Sequence, residues 1–206
     1  IKEINNIKTY LARKYFGINS HIPVTNIDYY RTCPRKFFIE KILKLEPPET
    51  KEYKVETMLL GTIIHEIMEK LMSKPFTTFD EMRLNAENLF KKILDEQPIE
   101  NYWKNFIRDS FLFILPDIYE IESKLTDEGY SFMEAEVSVE GEIIEGIKLK
   151  GKIDRVDKKD DVVELIDYKT GSAQLNRLEV LNKGASLQLF LYAALMKSLG
   201  FKVERV

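Results

Sequence analysis

A single cysteine, Cys33, excludes any disulfide within the chain and any all-cysteine metal site made by it alone. Such sparse cysteine fits a reducing compartment. No apolar run approaches the roughly 20 residues that span a bilayer, and no charged n-region, apolar core and cleavage site opens the chain. The expectation is a cytoplasmic protein. An excess of basic charge is also lacking. Lys and Arg total 31 against 34 Asp and Glu, a net charge of −3, so the whole molecule does not advertise nucleic-acid binding as a strongly basic domain does. No internal repeat or low-complexity segment is present. The 206 residues, 44% hydrophobic and 32% charged, have a globular composition and room for one domain with a helical insertion.

Charge is uneven along the chain. Basic residues gather at Arg31, Arg35, Lys36, Lys41 and Lys44, at Lys91 and Lys92, and from Lys148 through Lys150, Lys152 and Arg155 to Lys158 and Lys159. Such patches suit a phosphate backbone, although each alone is also an ordinary mixed surface.

Apolar spacing predicts a helix from Ile4 to about Phe16, closed by Gly17, and a second opening at Thr25 or Asn26. Pro34 fits the first turn of a helix from Arg35 to about Leu43. Glu46 to Thr50 is a loop. A largely buried helix follows from about Val55 to Met72, then amphipathic helices over Thr78 to Glu96 and Ile99 to Leu125 that carry no evident chemistry. The period then changes to two. Strands are expected over Tyr130 to Val139, Ile143 to Val156 and Val162 to Tyr168, with Gly141, Gly146 and Gly151 as turns or bulges. A helix from Ala185 to Leu199, stopped by Gly200, leads into a strand at Phe201. This order gives an α/β fold, a mixed sheet flanked by helices. The first residue is Ile1 rather than methionine and Val206 falls inside a β-type run, so the chain reads as part of a longer protein.

Two strands carry the chemistry. Asp154 stands in G-K-I-D-R-V-D, and Asp167 and Lys169 in E-L-I-D-Y-K-T-G. The period of two puts Asp167 and Lys169 on one face and Tyr168 on the other. If the strands pair, Asp154 reaches the same spot. Two converging carboxylates suit Mg²⁺ or Mn²⁺, and a neighbouring ammonium suits developing negative charge, the requirements of phosphodiester hydrolysis. An ordinary charged hairpin explains D-x-K taken alone. On the helix before them, Gly61, His65 and Glu69 share a face at i, i+4 and i+8, with an imidazole and a carboxylate one turn apart. In the last helix Gln188 and Tyr192 form another i, i+4 pair, polar groups in an apolar stretch that need partners.

In order, T-N-I-D-Y-Y-R-T-C-P-R-K-F-F at 25 to 38, G-T-I-I-H-E-I-M-E at 61 to 69, G-K-I-D-R-V-D at 151 to 157, I-D-Y-K-T-G at 166 to 171 and Q-L-F-L-Y at 188 to 192 resemble the RecB-like branch of the PD-(D/E)XK nuclease superfamily. That branch includes the nuclease domains of the RecB and AddAB helicase-nucleases and the CRISPR-associated adaptation nucleases. The resemblance covers residue 25 to the C-terminus and implies a restriction-endonuclease-like core at 51–206. An insertion falls at about 78–126, and residues 1–50 form a helical segment packed on that core. It implies Asp154, Asp167 and Lys169 as catalytic residues, with His65, Asp154, Asp167 and the Tyr168 carbonyl as metal ligands. Gln188 and Tyr192 match a motif that positions DNA or the lysine, Arg35 and Lys36 are expected at DNA, and Glu69 and Glu136 as accessory acids, although Glu134 shares the face of Glu136. Lys169, as a cation, is assigned electrostatic work.

The function implied is a Mg²⁺- or Mn²⁺-dependent deoxyribonuclease, an exonuclease or end-processing activity of DNA repair, recombination or CRISPR-type processing, joined to a helicase or recombination partner. The alternative is a catalytically silent DNA-binding or scaffolding module on the same fold. Many members of this branch hold a 4Fe–4S cluster with one cysteine near C-P-R-K-F and three beyond Q-x-x-x-Y. Cys33 has no such companions, so no cluster forms with this chain's cysteine alone and Cys33 is expected to pack as a small apolar residue.

Overall fold

A computed structural model describes residues 20–45, 53–144, 146–169 and 187–206, with backbone alone at 53–58 and 144. The expected Ile4–Phe16 helix and Glu46–Thr50 loop lie outside the described residues. Strands β2 (Ser131–Ile144) and β3 (Ile147–Lys159) form a long antiparallel hairpin, with Ser131 opposite Lys158 and Ile144 opposite Ile147. β2 fills one edge of β3, so the remaining strands share the other. β1 (His21–Pro23) runs parallel to Lys148–Lys150, and β4 (Val162–Ile166) antiparallel to Arg155–Lys159. β5 (Lys202–Arg205) lies parallel beside β4, completing a five-stranded mixed sheet.

Several boundaries differ from the sequence reading. Gly146, at φ 78°, makes the hairpin turn, whereas Gly141 and Gly151 lie inside β2 and β3. β4 stops at Ile166 rather than Tyr168, because the Tyr168 N–H is taken by the Asp154 side chain. α1 (Val24–Thr32) begins directly after Pro23 without a side-chain cap. Cys33 is the N-cap of the short α2 (Pro34–Phe37), its Sγ accepting the Lys36 N–H at 3.4 Å, so it does more than fill apolar space. The chain then loosens into a π-helical turn at Phe38–Ile42.

Helices α3 (Tyr53–Met72), α4 (Phe79–Asp95) and α5 (Asn101–Asp127) cover one face of the sheet. Thr78 and Glu81 form a reciprocal capping box at the start of α4. Ile63, Ile67 and Leu71 of α3 pack with Met82 and Phe90 of α4 and Phe111 and Leu115 of α5, all buried. The Phe90 and Phe111 rings meet at 5.0 Å. Each such side chain stabilises the fold by about 1.5–3 kcal/mol relative to exposure. The other face carries Val139, Ile153, Val156, Val163 and Leu165 against Tyr192, Leu195 and Met196 of α6 (Gln188–Ser198). Gly200, at φ 93°, stops α6: its N–H reaches the Lys197 carbonyl and that of Phe201 the Met196 carbonyl, both at 3.0 Å. The architecture is the expected mixed α/β sheet flanked by helices.

One charged group is buried between the layers. Arg155 on β3 is 4% exposed and grips Glu122 of α5 at 2.7 Å and Asp157 at 2.6 Å, each through two bonds. Burial opposes its charge, and the two carboxylates more than offset that, so its pKa is raised. This corrects two expectations: Arg155 is no part of a phosphate-facing run, and α5 carries a buried ionic anchor.

Candidate active site

β1 and β4 leave Gly151 to Asp154 without a strand partner on their edge of β3, among the described residues. Asp154 sits in this fork, where the chain after Ile166 turns away and the Tyr168 N–H donates to Asp154 Oδ2 at 2.7 Å. From α3, His65 Nδ1 comes to 3.5 Å from the same oxygen. The His65 and Tyr168 rings stand edge-on, with centroids 6.1 Å apart. Across the hairpin, Glu136 lies opposite Asp154, between the pairs Ala135–Arg155 and Val137–Ile153. Its φ of 56° is a conformation few non-glycine residues adopt, and such strain clusters at functional sites. One ligand atom from each of His65, Glu136 and Asp154 falls within 4.8 Å of the others. Glu136 also pairs with Lys152. The structure therefore brings Glu136 into the centre and leaves Glu134 exposed.

Asp167 and Lys169 do lie on one side and form an ion pair. Gln188 joins them: its Nε2 donates to Asp167 Oδ1 at 2.8 Å and to Tyr192 Oη at 3.3 Å, while its Oε1 accepts from Lys169 Nζ at 3.3 Å. The buried Tyr192 ring reaches this place only because residue 151 is glycine. A Cβ there would stand 2.3 Å from Tyr192 Cε1. Burial pushes the Tyr192 hydroxyl pKa up. The site thus has two ends: His65, Glu136 and Asp154 at one, Asp167, Lys169 and Gln188 at the other. Asp167 is outside the tight trio of ligand atoms.

Burial raises the Asp154 pKa, and the charge of Asp167 raises it further; the Tyr168 N–H, His65 and Lys169 pull the other way. Crowded, half-buried carboxylates are a functional-site signature and gain from a cation. One imidazole nitrogen with carboxylate oxygens is a donor set that Mn²⁺ and Mg²⁺ accept, so the residues fit the ion that the resemblance implies.

Glu69 lines an open hollow with Gly61, Thr62, His65, Glu66 and Glu136, beside the trio rather than in it. Arg35 and Lys36 are exposed on α2, with Lys36 turned to Glu40 at 3.8 Å and to the Tyr29 ring at 5.4 Å. Neither is brought to the carboxylates. An apolar groove of about 530 Å³ between α3, α5 and β4 is reached by Tyr168 and Lys169, and none of the trio lines it. Two features escaped the sequence reading: the Glu122–Arg155–Asp157 cluster, whose Glu122 stands 33 residues from Arg155, and Asp28, which accepts the Leu187 N–H from 159 residues away, separations that no spacing rule marks.

A carboxylate fork on a mixed sheet between helices, followed by an acid and a lysine two residues apart, is the restriction-endonuclease-like architecture. The chain belongs to the PD-(D/E)XK nuclease superfamily, whose model matches residues 21–205. Its curated relatives are subunits with helicase and nuclease names. It is 25% identical over 213 residues to an ATP-dependent helicase/deoxyribonuclease subunit of Lactococcus lactis subsp. cremoris strain SK11, covering 93% of this chain and 18% of that protein. It is 24% identical, with the same coverage, to exonuclease/helicase subunit RexB of strain MG1363. The ATP-dependent helicase/deoxyribonuclease subunit of Clostridium tetani is 26% identical over 90% of the chain and 18% of that protein. The chain spans about a fifth of the length of these relatives.

Proposed function

We propose that this chain is the nuclease part of a DNA-processing enzyme, a Mg²⁺- or Mn²⁺-dependent deoxyribonuclease acting in repair or recombination. The observation that carries the reading is the fork, where His65, Glu136 and Asp154 face one another and Asp167 and Lys169 stand alongside. The relatives' names, deoxyribonuclease and exonuclease/helicase, support DNA as the substrate, an exonuclease or end-processing activity and a helicase subunit as partner. The cytoplasm suits such work, and no helix among the described residues is long and apolar enough to cross a membrane. Residues 51–206 would form most of the core, and 1–50, which lends β1 to the sheet, a segment packed on it.

His65, Glu136, Asp154 and Asp167, with the Tyr168 carbonyl, would hold the metal. A bound Mg²⁺ or Mn²⁺ supplies a Lewis acid for the scissile phosphate and a water of lowered pKa. Lys169 offers its ammonium to the charge that builds on the phosphoryl oxygens. Asp167 and Gln188 hold that ammonium in place, one by charge and the other by its amide oxygen. Exposed Lys36 and Arg35 would meet the phosphate backbone farther out.

End-labelled single- and double-stranded DNA incubated with Mg²⁺, Mn²⁺ or chelator tests this. Cleavage is expected only with metal and is expected to vanish in Asp167→Ala. DNA binding with no cleavage under any metal would instead establish the silent-module alternative.

A further inference from the structure

Gln188 is the first residue of α6, and the first N–H groups of a helix have no carbonyl of their own helix to bond. The preceding residue, Leu187, offers no side-chain cap. Asp28, in the middle of α1, supplies one from 159 residues away. Its Oδ1 accepts the Leu187 N–H at 2.8 Å, and its Oδ2 accepts the Leu187 and Gln188 N–H groups at 3.1 Å each. A carboxylate at this point also complements the positive end of the helix dipole. Arg31 Nε stands 3.7 Å from the same carboxylate, which steadies it from the other side.

The capped residue is the one whose side chain touches both Asp167 and Lys169. An amide that donates to one group and accepts from another must have its Cα fixed to within a few tenths of an ångström, because hydrogen bonds weaken steeply off line. We propose that Asp28 is a positioning residue of the nuclease centre: by capping α6 it fixes Gln188, and through Gln188 it orients Asp167 and Lys169. This rests on the nuclease reading above and gives α1 a task that is not DNA contact. It also explains why the sheet carries β1 and α1 next to α6. β1 pairs with Lys148–Lys150 immediately before the fork and delivers α1 to the start of α6.

A merely structural cap would lower the melting temperature and leave the chemistry alone. The test therefore compares Asp28→Ala, Asp28→Asn, Gln188→Ala and the double variant Asp28→Ala/Gln188→Ala, in two readouts. In steady-state cleavage at saturating Mn²⁺, Asp28→Ala should lose about tenfold in kcat with little change in KM. Asp28→Asn, which keeps an accepting oxygen, should recover most of that loss. The double variant should be no slower than Gln188→Ala alone. In the NMR spectrum, the Gln188 side-chain amide should move in Asp28→Ala and move less in Asp28→Asn. An unmoved Gln188 amide, or kcat losses that multiply in the double variant, would overturn the proposal. Should the wild type bind DNA without cutting it, the nuclease reading fails while the amide resonance still decides whether Asp28 sets Gln188. If Asp28→Ala does not fold, Asp28→Ser, whose shorter hydroxyl cannot bridge both N–H groups, takes its place: an unmoved Gln188 amide with an altered melting temperature means a structural cap only.

Discussion

Replacing Arg155 by methionine probes the anchor beneath the fork. Asp157 is 1% and Glu122 11% exposed at the side chain, and both spend their oxygens on this guanidinium, at 2.6 and 2.7 Å. Met fills similar space with an apolar thioether. Two carboxylates would then be buried without a partner, which costs about 3–5 kcal/mol, far above the roughly 0–1 kcal/mol of an exposed pair. For a domain of this size that is a fall in melting temperature of about 6 to 20 °C. Thermal melts of wild type and Arg155→Met at neutral pH measure the loss. A triple change that also makes Glu122 and Asp157 leucine should regain most of the loss. A loss under about 1 kcal/mol, the size of an exposed pair, would refute the claim that water is excluded from this cluster.

Two shorter tests address the site itself. In chelator, Asp154→Asn should melt at a higher temperature than wild type at pH 8, because burial and the Asp167 charge raise the Asp154 pKa and penalise its ionised form. That advantage should fade as pH falls through the raised pKa, and Mn²⁺ should restore the order by stabilising wild type alone. Gly151→Ala places a Cβ 2.3 Å from Tyr192 Cε1, so the ring must shift. The expected cost is about 1–3 kcal/mol, together with a displaced Gln188 amide resonance.

The fold was legible where local pattern decides it. The period of 3.6 and the Thr78 cap set α4, the 3,4 spacing set α3, and alternation set β3. Boundaries set by side chains of other elements were not legible. β4 ends early because Asp154 takes the Tyr168 N–H, and α1 starts at Val24 because it follows the paired β1. In the site, the i, i+2 and i, i+4 rules correctly joined Asp167 to Lys169 and Gln188 to Tyr192. Composition and spacing could not reveal that Glu136 outranks Glu134. That choice comes from its position opposite Asp154 in the hairpin and from its left-handed φ. Nor could they show Arg155 as buried, since a cation in a run of lysines reads as surface until Glu122, 33 residues earlier, is seen to meet it.

The most direct test separates the two ends of the site in one variant, Lys169→Ala. Mn²⁺ affinity, read by electron paramagnetic resonance, and cleavage of a labelled duplex are measured on the same sample. The expected result is Mn²⁺ binding within about threefold of wild type with cleavage reduced at least about a hundredfold, the size of loss typical for a removed electrostatic stabiliser. Cleavage by Lys169→Ala at the wild-type rate, or cleavage by wild type that persists in chelator, would contradict a metal-dependent nuclease centre built on Asp154, Asp167 and Lys169.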